Sequence, residues 1–136
     1  MKAKRRSFAK KLQKLIEEGA NIIYADESTV NNHIRTAKCW QYCDKPVKQL
    51  IDKKRIGGVT IYGAIGICLR QPTFVLGAST NKVEFKAFLE QVLRNLKEGV
   101  VKPNLILDNH SAHISMDLRE WINENFTLVL LPPYSC

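Results

Sequence analysis

Leu105-Ile106-Leu107-Asp108-Asn109 is an apolar run that ends on a carboxylate, and Asn21-Ile22-Ile23-Tyr24-Ala25-Asp26-Glu27-Ser28 repeats that arrangement near the other end of the chain. Three or more strand-forming residues precede each aspartate, so each run reads as a core strand with an acid at its carboxyl lip. If the two strands are neighbours, the carboxylates lie within a few ångströms of each other. Two such anions repel unless a proton or a cation lies between them. A hard divalent ion takes carboxylate oxygens and waters, and phosphate oxygens can complete its shell. The same residues also admit a structural reading, in which Asp108 caps a turn and Asp26 pairs with a basic side chain.

Outward from these runs the chain alternates. Phe8, Leu12, Leu15 and Ile16 form one helical stripe, with Ser7 placed to cap it and Gly19 to end it. Residues 29–55 are polar and read as a long connection with a short strand near Val47–Ile51. Gly57 to Leu69 reads as a strand, Arg70-Gln71-Pro72 as a turn, and Thr73 to Leu76 as its hairpin partner. Asn81 to Lys97 is the clearest helix: Asn81 caps it, Val83, Phe85, Phe88, Leu89, Val92, Leu93 and Leu96 form its apolar face, and Gly99 ends it. A helix capped by Ser115 runs to about Asn123, and Thr127 to Leu131 is a last strand before Pro132-Pro133. A hairpin followed by alternating helices and strands predicts a mixed sheet covered by helices, with its site at strand carboxyl ends.

The 136 residues fit one domain, and 45% hydrophobic with 25% charged residues excludes a disordered chain. The longest uncharged stretch, Ile56 to Leu69, is broken by Gly57, Gly58, Gly63 and Gly66 and is too short to span a bilayer. Residues 1–14 are basic and hold no apolar leader, so the expected setting is the cytoplasm (nucleoid) or nucleus rather than secretion. Cys39, Cys43, Cys68 and Cys136 are then expected as reduced thiols, because a lone Cys-x3-Cys pair near His33 lacks zinc-site spacing. The net charge is +8, and it is uneven: residues 1–14 hold seven basic groups and no acid, and residues 35–55 hold another seven. Such patches favour a polyanion through counterion release, which makes Lys4, Arg5, Arg6, Lys10, Lys11, Lys45, Lys48, Lys53, Lys54 and Arg55 the candidate DNA contacts. The plainer reading is a solvated basic helix and loop.

Three phrases occur in order: Tyr24-Ala25-Asp26-Glu27-Ser28, Leu107-Asp108-Asn109-His110-Ser111-Ala112-His113, and Leu130-Leu131-Pro132-Pro133-Tyr134-Ser135. Together they resemble the catalytic domain of the mariner-type superfamily of DDE transposases, particularly its bacterial insertion-sequence branch, from about Asn21 to Ser135. Trp40 before a basic loop, and the helix with Phe85 and Phe88-Leu89, fit the same pattern. The resemblance implies an α/β, ribonuclease H-like mixed sheet with covering helices, here C-terminally incomplete. Residues 1–19 are then a basic amphipathic helix or linker, and residues 20–136 a partial catalytic domain. It further implies that Asp26 and Asp108 are catalytic and hold two Mg²⁺ or Mn²⁺ ions for cleavage and strand transfer at DNA phosphodiesters. The expected partners are transposon-end and target DNA, together with a second copy of the chain, and no membrane.

The chain departs from the family after its third phrase. There the pattern continues to a third Asp or Glu roughly 35 positions beyond the second, whereas 28 residues follow Asp108 here. The expectation is therefore weak metal binding and little activity from this chain alone. Glu27 should point to the opposite face from Asp26, and Asp117, Glu120 and Glu124 read as solvated helix surface. His110, His113 and Asn109 flank the second aspartate as candidate metal, phosphate or turn residues, and Trp40 packs the long loop or stacks near DNA. Ser28 and Ser111 lack a base of their own, which argues against a serine hydrolase. Two other classes stay open: a catalytically silent DNA-binding or dimerisation module, and a ribonuclease H-like nuclease outside transposition.

Overall fold

The computed structural model describes residues 2–30, 58–108 and 116–132. Its elements are α1 (Lys2–Glu17), β1 (Ile22–Val30), β2 (Val59–Gly66), β3 (Thr73–Gly77), α2 (Lys82–Arg94), β4 (Asn104–Leu107), α3 (Met116–Asn125) and β5 (Thr127–Leu130). The strands form one sheet in the order β3-β2-β1-β4-β5. β1, β2 and β3 pair antiparallel, whereas β4 lies parallel to β1 and β5 parallel to β4. The mixed sheet expected from the order of elements is the one observed.

Strand alternation sends the residues of β1 to two different interiors. Ile23 and Ala25 join Tyr62, Ala64, Leu105 and Leu107 under α2 and α3, where Phe85, Phe88, Leu89, Val92, Leu118 and Ile122 complete the main core. Tyr62 is its centre, fully buried, with its ring 5.6 Å from that of Phe88 and 5.9 Å from that of Phe85. Its hydroxyl donates to the Ser79 carbonyl oxygen at 3.0 Å, and burial raises its pKa above the ordinary 10.0. On the other face Ile22, Ile106 and Val129 form a smaller cluster, covered by Phe8, Leu12 and Leu15 of α1. Cys68 is a buried free thiol whose pKa is raised by the same desolvation.

Several boundaries differ from the sequence reading, each for a tertiary reason. β1 does not stop at Ala25: eight consecutive pairs with β2, ending at Val30↔Val59, hold Glu27–Val30 extended. The hydroxyls of Thr29, Thr60 and Thr80 meet beside that extension, at 3.1 Å for Thr60 and Thr80. α1 begins at Lys2, so Ser7 lies inside the helix and is not its cap. Gly19 does end α1, in the left-handed region at φ +64°. Asn81 caps α2 as expected, its side chain accepting from the Val83 and Glu84 N–H groups. Val83, however, is 71% exposed and lies outside the buried face. α2 stops at Arg94 rather than near Gly99, because Leu96 leaves the helix to bridge Leu69 and the Lys97 N–H donates to the Cys68 carbonyl. The strand expected near Val47–Ile51, and Ser115, lie outside the described residues.

Candidate active site

The site begins at a fork in the sheet. β1 pairs with β4 in an unbroken parallel register, Ile22↔Asn104, Ile23↔Leu105 and Tyr24↔Ile106. Carried two positions further, that register sets Asp26 beside Asp108. β4 has ended at Leu107, while β1 continues to Val30 with β2 as its partner. Asp26 is therefore inside a strand rather than at its end, which corrects the sequence expectation, whereas Asp108 does follow the last residue of its strand.

Parity places both carboxylates on one face. Asp26 alternates with Tyr24 and Ile22, and Asp108 with Ile106, on the side covered by α1. Both line a single depression of about 410 Å³, with Tyr24, Gly63, Ile65, Phe74, Ile106 and Leu131 around them. Asp26 Oδ1 accepts the Glu27 N–H at 2.9 Å, which fixes the orientation of its carboxylate. Directly across β2 stands Gly63, where a Cβ would meet the Phe74 ring at 3.2 Å, so the missing side chain keeps the flank of Asp26 open. Apolar walls lower the local dielectric and strengthen any charge–charge contact inside them.

Two carboxylates lining one open depression have the donor chemistry of a hard-cation site, since oxygen anions are what Mg²⁺ and Mn²⁺ prefer. Among the described residues no group of three His, Cys, Asp or Glu side chains gathers there. Glu27 pairs with Tyr62 across the strands, one residue out of phase with Asp26 and thus on the main-core face. Asp117, Glu120 and Glu124 are exposed on α3, which packs on that same core face through Leu118 and Ile122. Neither group joins the pair.

Lys4, Arg5, Arg6, Lys10 and Lys11 are exposed on α1, over the carboxylate face. Lys45, Lys48, Lys53, Lys54 and Arg55, together with Trp40, Asn109, His110 and His113, lie outside the described residues. Sequence reasoning missed Gly63 and Phe74 as walls of the site. Nothing local marks them; only the antiparallel register brings them to Asp26. It also missed an apolar face that continues from the depression, where Tyr24, Ile65, Phe74 and Leu76 are 41–71% exposed.

A sequence model of the DDE superfamily endonuclease family matches residues 21–136. No curated protein matches the chain. Among solved structures, it resembles the Mos1 transposase in a paired-end complex with the left transposon end, with a TM-score of 0.64 and 14% identity over 97% of this chain and 42% of that one. It also resembles the Mos1 mariner paired-end complex with Mn, with a TM-score of 0.61 and 14% identity over 97% of this chain and 43% of that one. The Mos1 strand transfer complex gives 0.56 and 14%, over 95% and 40%. At that identity the likeness is one of fold. The chain spans about two-fifths of the length of these structures' chains.

Proposed function

The chain belongs to the DDE superfamily endonuclease family, and from that premise we propose that it is the catalytic core of a mariner-type DNA transposase. The observation that carries this reading is the shared depression of Asp26 and Asp108, the two residues that match the family's first two acids. These carboxylates would hold Mg²⁺ or Mn²⁺. Bound there, such ions would supply electrostatic stabilisation of the attacking and leaving oxygens in an in-line displacement at phosphorus. The chain's own residues supply the rest: Asp26 is oriented by the Glu27 N–H, Gly63 leaves room beside it, and Tyr24, Ile65 and Phe74 form the apolar floor and rim around the pair.

Residues 20–136 make up the catalytic unit, and residues 1–19 an added basic helix. The substrates are transposon-end and target DNA, in the nucleoid or the nucleus, and the working form is a homodimer. No helix among the described residues is long and apolar enough to cross a membrane. The exposed basic residues of α1 also favour a second reading: a catalytically silent module that binds DNA or dimerises. A ribonuclease H-like nuclease outside transposition would share the same carboxylates. Mn²⁺ titration followed by electron paramagnetic resonance separates the two metal-dependent readings from the silent module, and strand transfer of a transposon end separates the transposase from the nuclease. The catalytic reading expects Mn²⁺ binding that Asp26→Asn and Asp108→Asn each abolish. Binding indifferent to both substitutions would end it.

A further inference from the structure

The direction of α1 across the sheet gives one of its basic residues a place the others do not share. Its last turn is tied back to the start of β1: the Ala20 N–H donates to the Leu15 carbonyl at 2.9 Å, and Gly19 reverses the chain at φ +64°. Phe8, Leu12 and Leu15 then lie along Ile22, Ile106 and Val129, with Leu131 beside them. α1 therefore runs antiparallel to β1, and its first turns approach the carboxyl ends of β4 and β5, where Asp108 stands.

Ile16 identifies the flank of α1 that faces β2, since it lines a depression with Tyr24, Ile65 and Ile67. Arg5 precedes Ile16 by 11 residues, which is about three helical turns, so both occupy the same flank. The same 11 residues advance about 16 Å along the axis. That distance equals four to five residues of strand at about 3.3 Å each, which takes the flank from Ile22 to the level of Asp26. Arg6 and Lys10 fall on the outward side of the helix, opposite the stripe of Phe8, Leu12 and Leu15.

We propose that Arg5 is a phosphate-binding residue of the carboxylate site, gripping a DNA backbone phosphate beside the one drawn to Asp26 and Asp108. This rests on the reading of the pair as a cation-dependent DNA site. A cation held by the two carboxylates draws a backbone phosphate to their level, and a guanidinium there meets the neighbouring phosphate with two parallel N–H···O contacts that an ammonium cannot make.

The test uses the whole chain and a fluorescein-labelled random duplex, with anisotropy read at one low salt concentration, in Mn²⁺ and in EDTA. In Mn²⁺, Arg5→Ala weakens binding about tenfold, whereas Arg6→Ala, which removes the same charge, weakens it less than about threefold. Arg5→Lys recovers part of the loss. In EDTA the difference between Arg5→Ala and Arg6→Ala collapses, because unneutralised carboxylates draw no phosphate to the site and so bring none beside Arg5. Circular dichroism melts confirm that each variant folds, and Arg5→Lys carries the test if Arg5→Ala does not. Equal losses for Arg5→Ala and Arg6→Ala, or an Arg5 effect that persists undiminished in EDTA, overturn the proposal while leaving the metal site intact. A wild-type chain that binds no Mn²⁺ overturns the underlying reading as well.

Discussion

Gly66→Ala should destabilise the protein by about 2 kcal/mol, although it adds a single methyl group. Gly66 pairs with Ile23 where β2 meets the start of β1. A Cβ there would stand 2.5 Å from the Ile22 carbonyl oxygen and 3.2 Å from the Ile23 Cα. Real Cβ contacts essentially never fall under 3.0 Å, so the two strands must move apart to admit the methyl group. The obstacle is backbone and cannot rotate away. Overpacking of this kind costs about 1–3 kcal/mol, and each ladder hydrogen bond weakened by the separation costs about 1 kcal/mol more. Against this, Gly→Ala stabilises through the unfolded chain by about 0.4–1 kcal/mol, and that gain applies because Gly66 is not among the positive-φ glycines. The net loss corresponds to a melting temperature lower by about 8 °C. Gly63→Ala, earlier in the same strand, is the control. Its Cβ would meet the exposed Phe74 ring, which can swing aside, so its stability should change by less than about 0.5 kcal/mol. Urea unfolding of the two variants checks both numbers. If Gly66→Ala matches the wild type, or Gly63→Ala loses as much, the close approach of β2 to β1 is not what demands glycine.

Other predictions follow from the site and the core. Gly63→Val should fill the flank of Asp26 and weaken Mn²⁺ binding about three- to tenfold, a shift that resonance titration resolves; unchanged affinity would show the open flank to be irrelevant. Replacing Lys4, Arg6, Lys10 and Lys11 together by Gln should flatten the salt dependence of duplex binding by up to about 0.9 for each phosphate no longer neutralised, while Phe8, Leu12 and Leu15 keep α1 on the sheet. An unchanged slope would mean that these charges are merely solvated. Tyr62→Phe removes the bond to the Ser79 carbonyl and should cost about 1 kcal/mol near neutral pH. Because burial raises the Tyr62 pKa above 10.0, its protonated form stabilises the fold fully below pH 10.0, and that contribution is lost as pH rises through the folded-state value. Denaturation at a series of alkaline pH values should show a loss of stability that the Phe variant lacks in part.

Periodicity and turn chemistry alone gave the order of the described elements, since each needs only its own residues. The Asn81 cap, the apolar runs of β4 and β5 and the Phe85, Phe88, Leu89 and Val92 stripe of α2 are local patterns, and the structure keeps them, while Val83 faces out and Leu96 lies beyond the helix. The two aspartates were legible too, as acids following apolar strand residues, and the three ordered phrases led to the family that the sequence model supports. Where elements end was less legible. The polar half of β1 is strand because β2 supplies eight partners in register, and α2 stops short because Leu96 and Lys97 find better partners at Leu69 and Cys68. The site depended on pairing more than on pattern. The parallel register of β1 on β4, whose last pair is Tyr24↔Ile106, leads Asp26 and Asp108 to one depression, and the β2 register brings Gly63 to Asp26. Residues so far apart in the chain carry no mutual periodicity. Their meeting is a property of hydrogen-bonded register, which exists only once the sheet has formed.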